Sequence, residues 1–179
     1  MLAIPARAQA PAPIDVFVAQ IGDGIRGIHA SQNGDAAKVL AACSDFLGRV
    51  LNLDAMAHGA TESAWDRMSV AQRENYKKAF GERMVSECTR ELADTKGDAV
   101  ELAGIRSAPD GDKLATMRVG AEDAKMIAWR LHRTGTDTWS AVDVIWEGHS
   151  AVAKARDEFA AGLHGAHGNI DALLELMRK

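Results

Sequence analysis

TWSAVDVIWEGHSAV, residues 138–152, decides the fold of this chain. An extended run ends in Gly148-His149-Ser150, and a helical run, SAVAKARDEFAAGL, leaves it. Strand, turn and helix in that order are what the nucleophile elbow of a serine hydrolase needs, and GHSAV is one residue away from its G-x-S-x-G signature. The fifth position is Val152, however, where an elbow wants glycine. An acid and a histidine would have to come from the 29 residues that follow, where Asp157 or Asp171 could be paired with His164 or His167. Their spacing on short helices gives them no reason to meet Ser150. We read Ser150 as a helix N-cap, its hydroxyl accepting from N–H groups of the first turn.

Outward from this stretch, TKGD, PDGD, GAED and TGTD recur between runs that read as strands: AVELAGIRSA, KLATMRV, AKMIAWRLHR and TWSAVDVIWEG. Short loops between successive strands make an antiparallel meander. If TGTD closes a hairpin, Ile127 faces Val144 and Trp129 faces Val142. One face of the sheet then carries Ile127, Trp129, Leu131, Val142, Val144 and Trp146, and the other carries Arg130, His132 and Asp143. Without βαβ crossovers there is no parallel sheet to seat an elbow.

The first half of the chain is helical. Ile14, Val18, Ile21, Ile25 and Ile28 recur at helical spacing to Ala30, and a second helix runs from about Asp35 to Val50. The segment LDAMAHGATESAW follows as a connector. Ser69 and Gln72 then form a capping box for a long helix to about Ala93. Helices from Ser150 to about Leu163 and from Asn169 to Met177 close the chain. The expected architecture is α+β: a four-stranded antiparallel meander with amino- and carboxy-terminal helices packed on one face.

The bulk properties of the 179 residues suit one globular domain, which we place at residues 14–179. A net charge of −4, with no Lys/Arg cluster, argues against nucleic-acid binding. No apolar run approaches the length of a membrane span. The leading MLAIPARAQAPAP contains Ala6-Arg7-Ala8 and Ala8-Gln9-Ala10, both small-x-small cleavage patterns, before a Pro/Ala linker. Residues 1–13 thus read as the remnant of a truncated or incomplete signal peptide, pointing to export. Cys43 and Cys88 each fall in an apolar helical stripe, which reads as two buried thiols, with a disulfide open to them if the stripes face each other in an oxidising compartment.

Other chemistry is thinly represented. His164, His167 and Asp171 have helix-like spacing for a metal, but Gly165 and Gly168 break the segment, and we assign neither metal nor cofactor. The acidic pairs Glu122-Asp123 and Asp157-Glu158 read as solvated charge. The apolar sheet face, opposed by Phe80 and Met84, is either a packed core or the lining of an apolar cavity.

A resemblance bears on that choice. Trp139, Asp143, Val144, Glu147, Gly148, Ser150, Arg156 and Phe159, as W-x3-D-V-x2-E-G-x-S-x5-R-x2-F, resemble the signature of the MlaC family of periplasmic lipid carriers, the toluene-tolerance auxiliary proteins. A second block, Asp54, Met56, Ala57, Trp65, Gln72, Arg73 and Phe80, is similar to the family's run into its long helix. The resemblance implies a non-enzymatic periplasmic shuttle that holds a phospholipid's acyl chains between sheet and helices. It would exchange that lipid with an ABC transporter complex at the inner membrane and a lipoprotein complex at the outer membrane, touching membrane complexes only transiently. A hopanoid or other apolar metabolite is the alternative cargo, and an esterase using Ser150 the alternative activity. On this reading Phe80, Met84, Met117, Ile127, Trp129, Leu131, Val142, Val144 and Trp146 line the cavity. Trp65, Trp139, Asp143, Glu147, Gly148, Ser150, Arg156 and Phe159 are structural, with Asp143 near enough to Arg130 across the hairpin to pair. The chain departs from the family where a Y-A-x-x-L run is usual, reading Cys88-Thr89-Arg90-Glu91-Leu92.

Overall fold

Pro13 opens the first helix, where a missing N–H does no harm, and a computed structural model describes the chain at residues 13–31, 35–93, 95–108 and 110–177. The expected signal-peptide remnant lies outside the described residues except for Pro13. Helix α1, Pro13–Ala30, buries Val18, Ile21, Ile25 and Ile28 as the spacing requires. Helix α2, Ala36–Val50, is capped by Asp35, whose side chain accepts from the N–H groups of Ala37 and Lys38.

The connector is a correction to the sequence reading. LDAMAHGAT forms helix α3, Leu53–Thr61, N-capped by Asn52 through the N–H of Ala55, and Glu62–Arg67 follows as a 3-10 turn. Its brevity hides it in the sequence, but burial of Met56, Ala57 and Ala60 stabilises it. Ser69 and Gln72 then form the expected reciprocal box, the Ser69 N–H donating to Gln72 Oε1 at 2.8 Å and the Gln72 N–H to Ser69 Oγ at 3.2 Å. Helix α4, Val70–Ala93, follows.

The second half is an antiparallel sheet in sequence order: β1 Val100–Ser107, β2 Lys113–Val119, β3 Lys125–Arg133, β4 Trp139–Trp146 and β5 His149–Ser150. The fifth strand, two residues long, adds to the expected four. Helices α5, Ala151–Gly165, and α6, Ile170–Leu176, complete the chain, α6 capped by Asn169.

The β3–β4 register differs from expectation. Ile127 faces Trp146, Trp129 faces Val144, and Leu131 faces Ala141; the register shifts between Arg130 and Leu131, leaving Val142 as an extra residue. A β-bulge of this kind is invisible to a turn-counting argument. It replaces Val142 by Ala141 on the buried face, where Ala141 is fully covered and Val142 only half-buried. Ala141 also accepts from the Asn52 N–H at 2.8 Å, so the α2–α3 junction is pinned to β4.

β4 turns into β5 through Glu147 and Gly148, both at positive φ, +48° and +86°. Two central residues of this kind suit a two-residue hairpin, and Gly148 adopts the conformation without a Cβ penalty. Glu147 is held there by its carboxylate, which accepts from the Met126 N–H at 2.8 Å.

Candidate functional site

Between the sheet and helices α4 and α5 lies a cleft of about 780 Å³. Its sheet-side wall is apolar: Ile127 and Trp129 from β3, Val144 and Trp146 from β4. Ile25 of α1, Phe46 and Leu47 of α2, and Met84 and Leu92 of α4 extend that wall. Five of the expected lining residues, Met84, Ile127, Trp129, Val144 and Trp146, thus meet in one place.

The other four do not. Phe80, Met117 and Leu131 are buried, at 2%, 2% and 0% exposure, but belong to the solid core, and Val142 is displaced by the bulge. Periodicity assigns a residue to a face but not to the part of that face left uncovered by helices. Phe80 stacks on Tyr76, which meets Phe159 edge-on at 5.2 Å, and this aromatic group fills the space between α4 and α5.

Ile25, Phe46, Leu47 and Leu92 are wall residues that the expected lining omits, and Phe46 is the aromatic one among them. Its ring meets Trp129 edge-on with centroids 5.7 Å apart. Phe46 fits because position 24 is glycine: a Cβ on Gly24 would lie 2.2 Å from the Phe46 ring. Gly24 is the recess in α1 that admits this ring. The Trp129 indole N–H is buried and has no hydrogen-bond partner among the described residues. A buried donor of this kind costs about 1–3 kcal/mol unless something accepts from it.

Cys43 and Cys88 form a disulfide that ties α2 to α4, with Cα atoms 6.1 Å apart, which corrects the reading as two thiols. Their stripes face each other, and Cys88, half-buried, lines the cleft. Cys88 therefore brings the cross-link to the cleft wall.

The solvent side of the cleft is charged. Glu87, Arg90 and Glu91 come from α4, and Lys154, Asp157 and Glu158 from α5. Lys154 donates to Glu87 at 3.0 Å, and Arg83 bridges Glu87 and Glu158, so ion pairs join the two helices. Burial pushes the Glu87 carboxyl up, but bonds from Lys154 and the charge of Arg83 outweigh it and leave its pKa below the ordinary value.

Ser150 and Asp143 hold the start of α5 beside this cleft. The Ser150 hydroxyl accepts from the Ala153 N–H at 3.0 Å and donates to Asp143 at 2.5 Å. The buried Asp143 also accepts from the Val152 N–H at 3.1 Å. β5 brings residues 150–152 alongside β4, so Asp143 serves them rather than Arg130, which faces it in register. Arg130 instead bonds Asp110 and Asp112, and Asp112 also bonds His132 at 2.7 Å. No histidine bonds Ser150 among the described residues.

The remaining signature residues brace the helices. Arg156 donates to the Gly59 carbonyl at 3.0 Å and pairs with Glu62, fastening α5 to α3. Arg73 stacks over Trp65 and donates to its carbonyl, and Arg133 lies over Trp139. Asp171 accepts from Gln72, and no cluster of three metal-ligating side chains occurs among the described residues. No helix among them is long and apolar enough to cross a membrane.

The family model described as MlaC protein matches residues 18–179. The chain belongs to the MlaC family. A solved structure of a phospholipid-binding protein from Ralstonia solanacearum, in complex with a phospholipid, is similar over 96% of each chain, with a TM-score of 0.75 and 17% sequence identity. That likeness supports the fold: an MlaC-family arrangement of helices over an antiparallel sheet. Curated proteins give no match.

Proposed function

We propose that this MlaC-family chain is a periplasmic lipid carrier, with residues 14–179 acting as one lipid-binding domain. It takes the acyl chains of a phospholipid into the cleft and passes the lipid between an outer-membrane lipoprotein complex and an inner-membrane ABC transporter complex. The observation that carries this reading is the cleft itself, about 780 Å³ and walled by apolar side chains of β3, β4, α1, α2 and α4. Its volume lies within the ~300–1,000 Å³ range of small-molecule sites.

The energetics favour such a container. A two-chain lipid hides about 30 methylenes in a membrane, each contributing about 0.8 kcal/mol, so its transfer to water costs roughly 25 kcal/mol. Only a comparably apolar enclosure offsets that, and Met84 and the Trp129–Phe46 pair supply adaptable and bulky apolar surface. Carriage breaks no covalent bond, in keeping with a Ser150 hydroxyl committed to a cap and a carboxylate. The relative's bound phospholipid supports the ligand class by analogy.

Native mass spectrometry of protein purified from a bacterial periplasm, followed by solvent extraction, tests this function. One lipid mass per chain, identified as phospholipid, is expected. Extraction of a hopanoid would redirect the cargo assignment, and an apo mass that persists after incubation with phospholipid vesicles would overturn it.

A further inference from the structure

A second hollow, of about 610 Å³, lies between α1 and α2. Gly24, Gly27 and Ile28 of α1 and Ala42 and Val50 of α2 line it, together with exposed polar residues of both helices. Among the described residues, Phe46 alone lines both this hollow and the cleft. Its ring meets Trp129 of the cleft wall with centroids 5.7 Å apart. The same ring packs on Gly24 of the hollow, where a Cβ would lie 2.2 Å from it. A side chain only 2% exposed therefore stands between two spaces. Shortening it joins them.

We propose that Phe46 is the end stop of the cleft and sets the longest acyl chain that the carrier accepts, an inference that rests on the lipid-carrier reading. A lipid leaving a bilayer gives up the burial of every methylene in its chains and recovers it only for those housed in protein. Each methylene beyond the stop stays in water and lowers the exchange ratio about fourfold, the equivalent of about 0.8 kcal/mol. Two such methylenes lower it more than tenfold. A buried aromatic stop thus produces a sharp cut-off in chain length, with Gly24 as the recess that seats it.

The test is a competition among chain lengths at constant headgroup. Delipidated protein is incubated with vesicles of equimolar phosphatidylcholines carrying two monounsaturated chains of 14, 16, 18, 20 or 22 carbons, re-isolated, and its lipids extracted and quantified. The parent should show a cut-off within the series, beyond which uptake falls about tenfold or more per two-carbon step. Phe46→Ala should move the cut-off at least one step to longer chains. Phe46→Leu, which keeps an apolar side chain between α1 and α2, should raise uptake of the first excluded length about fourfold or more, the effect of one methylene. It decides the matter if Phe46→Ala fails to fold. Gly27→Leu fills the hollow from α1, where a Cβ meets nothing within 4 Å. Alone it should leave the cut-off in place, and combined with Phe46→Ala it should return the cut-off to the parent length.

A parent profile without a cut-off overturns the end stop while leaving lipid carriage standing. So does a cut-off unmoved in the folded Phe46 variants, whose total uptake then changes equally at every length, as a merely structural role requires. A shift in Phe46→Ala that Gly27→Leu does not reverse also overturns it. Uptake of none of the five lipids overturns both readings.

Discussion

Asp143 is a buried carboxylate with two donors on the first turn of α5, and removing it should be the costliest polar substitution in the signature. Asp143→Ala removes the 2.5 Å bond from Ser150 Oγ and the 3.1 Å bond from the Val152 N–H. Hydrogen bonds to a charged group contribute about 1.5–3 kcal/mol each, and the buried Val152 N–H is left without an acceptor. Relief of the carboxylate's own desolvation offsets part of this, giving a loss of about 3 kcal/mol. Ser150→Ala loses the cap to Ala153, about 1 kcal/mol, and leaves Asp143 short of one donor, for about 2 kcal/mol in all. In a chain of this size the Asp143→Ala loss lowers Tm by about 6–12 °C. Urea denaturation followed by circular dichroism measures both variants and the double variant. Because the hydroxyl–carboxylate bond is shared, the double variant should lose about 1 kcal/mol or more less than the sum of the singles. Lipid content per folded molecule should be unchanged in Ser150→Ala. Strict additivity, or Asp143→Ala within about 0.5 kcal/mol of the parent, which is the range of an ordinary surface substitution, would refute the shared-cap account.

Three further outcomes are expected. Reduction of Cys43–Cys88, which closes a loop with a sequence separation of 45, should cost about 4 kcal/mol in the chain-entropy model and lower Tm by about 10 °C; a melt indifferent to dithiothreitol contradicts this. Gly24→Ala gains helix propensity of about 1 kcal/mol but forces a Cβ against Phe46, so a net loss of about 1–2 kcal/mol and reduced lipid occupancy are expected in melts and extraction. His29 is buried; burial lowers its pKa, and the Gly97 backbone and the charge of Asp98 raise it only in part. The unfolded chain therefore takes up that proton first, so stability present above pH 6.5 is lost as the pH falls through that value towards the folded pKa. Melts from pH 7.5 to 5 should show this decline, and His29→Leu should flatten it.

Where the sequence was legible, one local signal and one burial pattern coincided. The Ser69–Gln72 box, the Ser150 cap and the α1 stripe are each set by residues within a turn or two, and all are present. The α+β meander followed from turn chemistry at regular intervals. The β3–β4 register was not legible because the bulge at Val142 depends on how β4 meets the α2–α3 junction, a contact remote in sequence. The same limit applies to the cleft. Leu131 and Trp129 share a strand face, yet Leu131 lies outside the cleft and Trp129 lines it, a difference that the period of a strand does not carry. Phe46 and the charged rim gave no signal of their own. They join the site through the Gly24 recess and the approach of α4 to α5.

Photo-crosslinking with a phospholipid carrying a diazirine near the end of one acyl chain tests the central claim most directly. Peptide mapping after irradiation should place the label on the cleft wall, at Met84, Ile127, Trp129, Val144 or Trp146, and unlabelled phospholipid should compete it away. Labelling confined to the outer sheet face around Arg130 and His132, or to no residue at all, would contradict an acyl-chain site between sheet and helices.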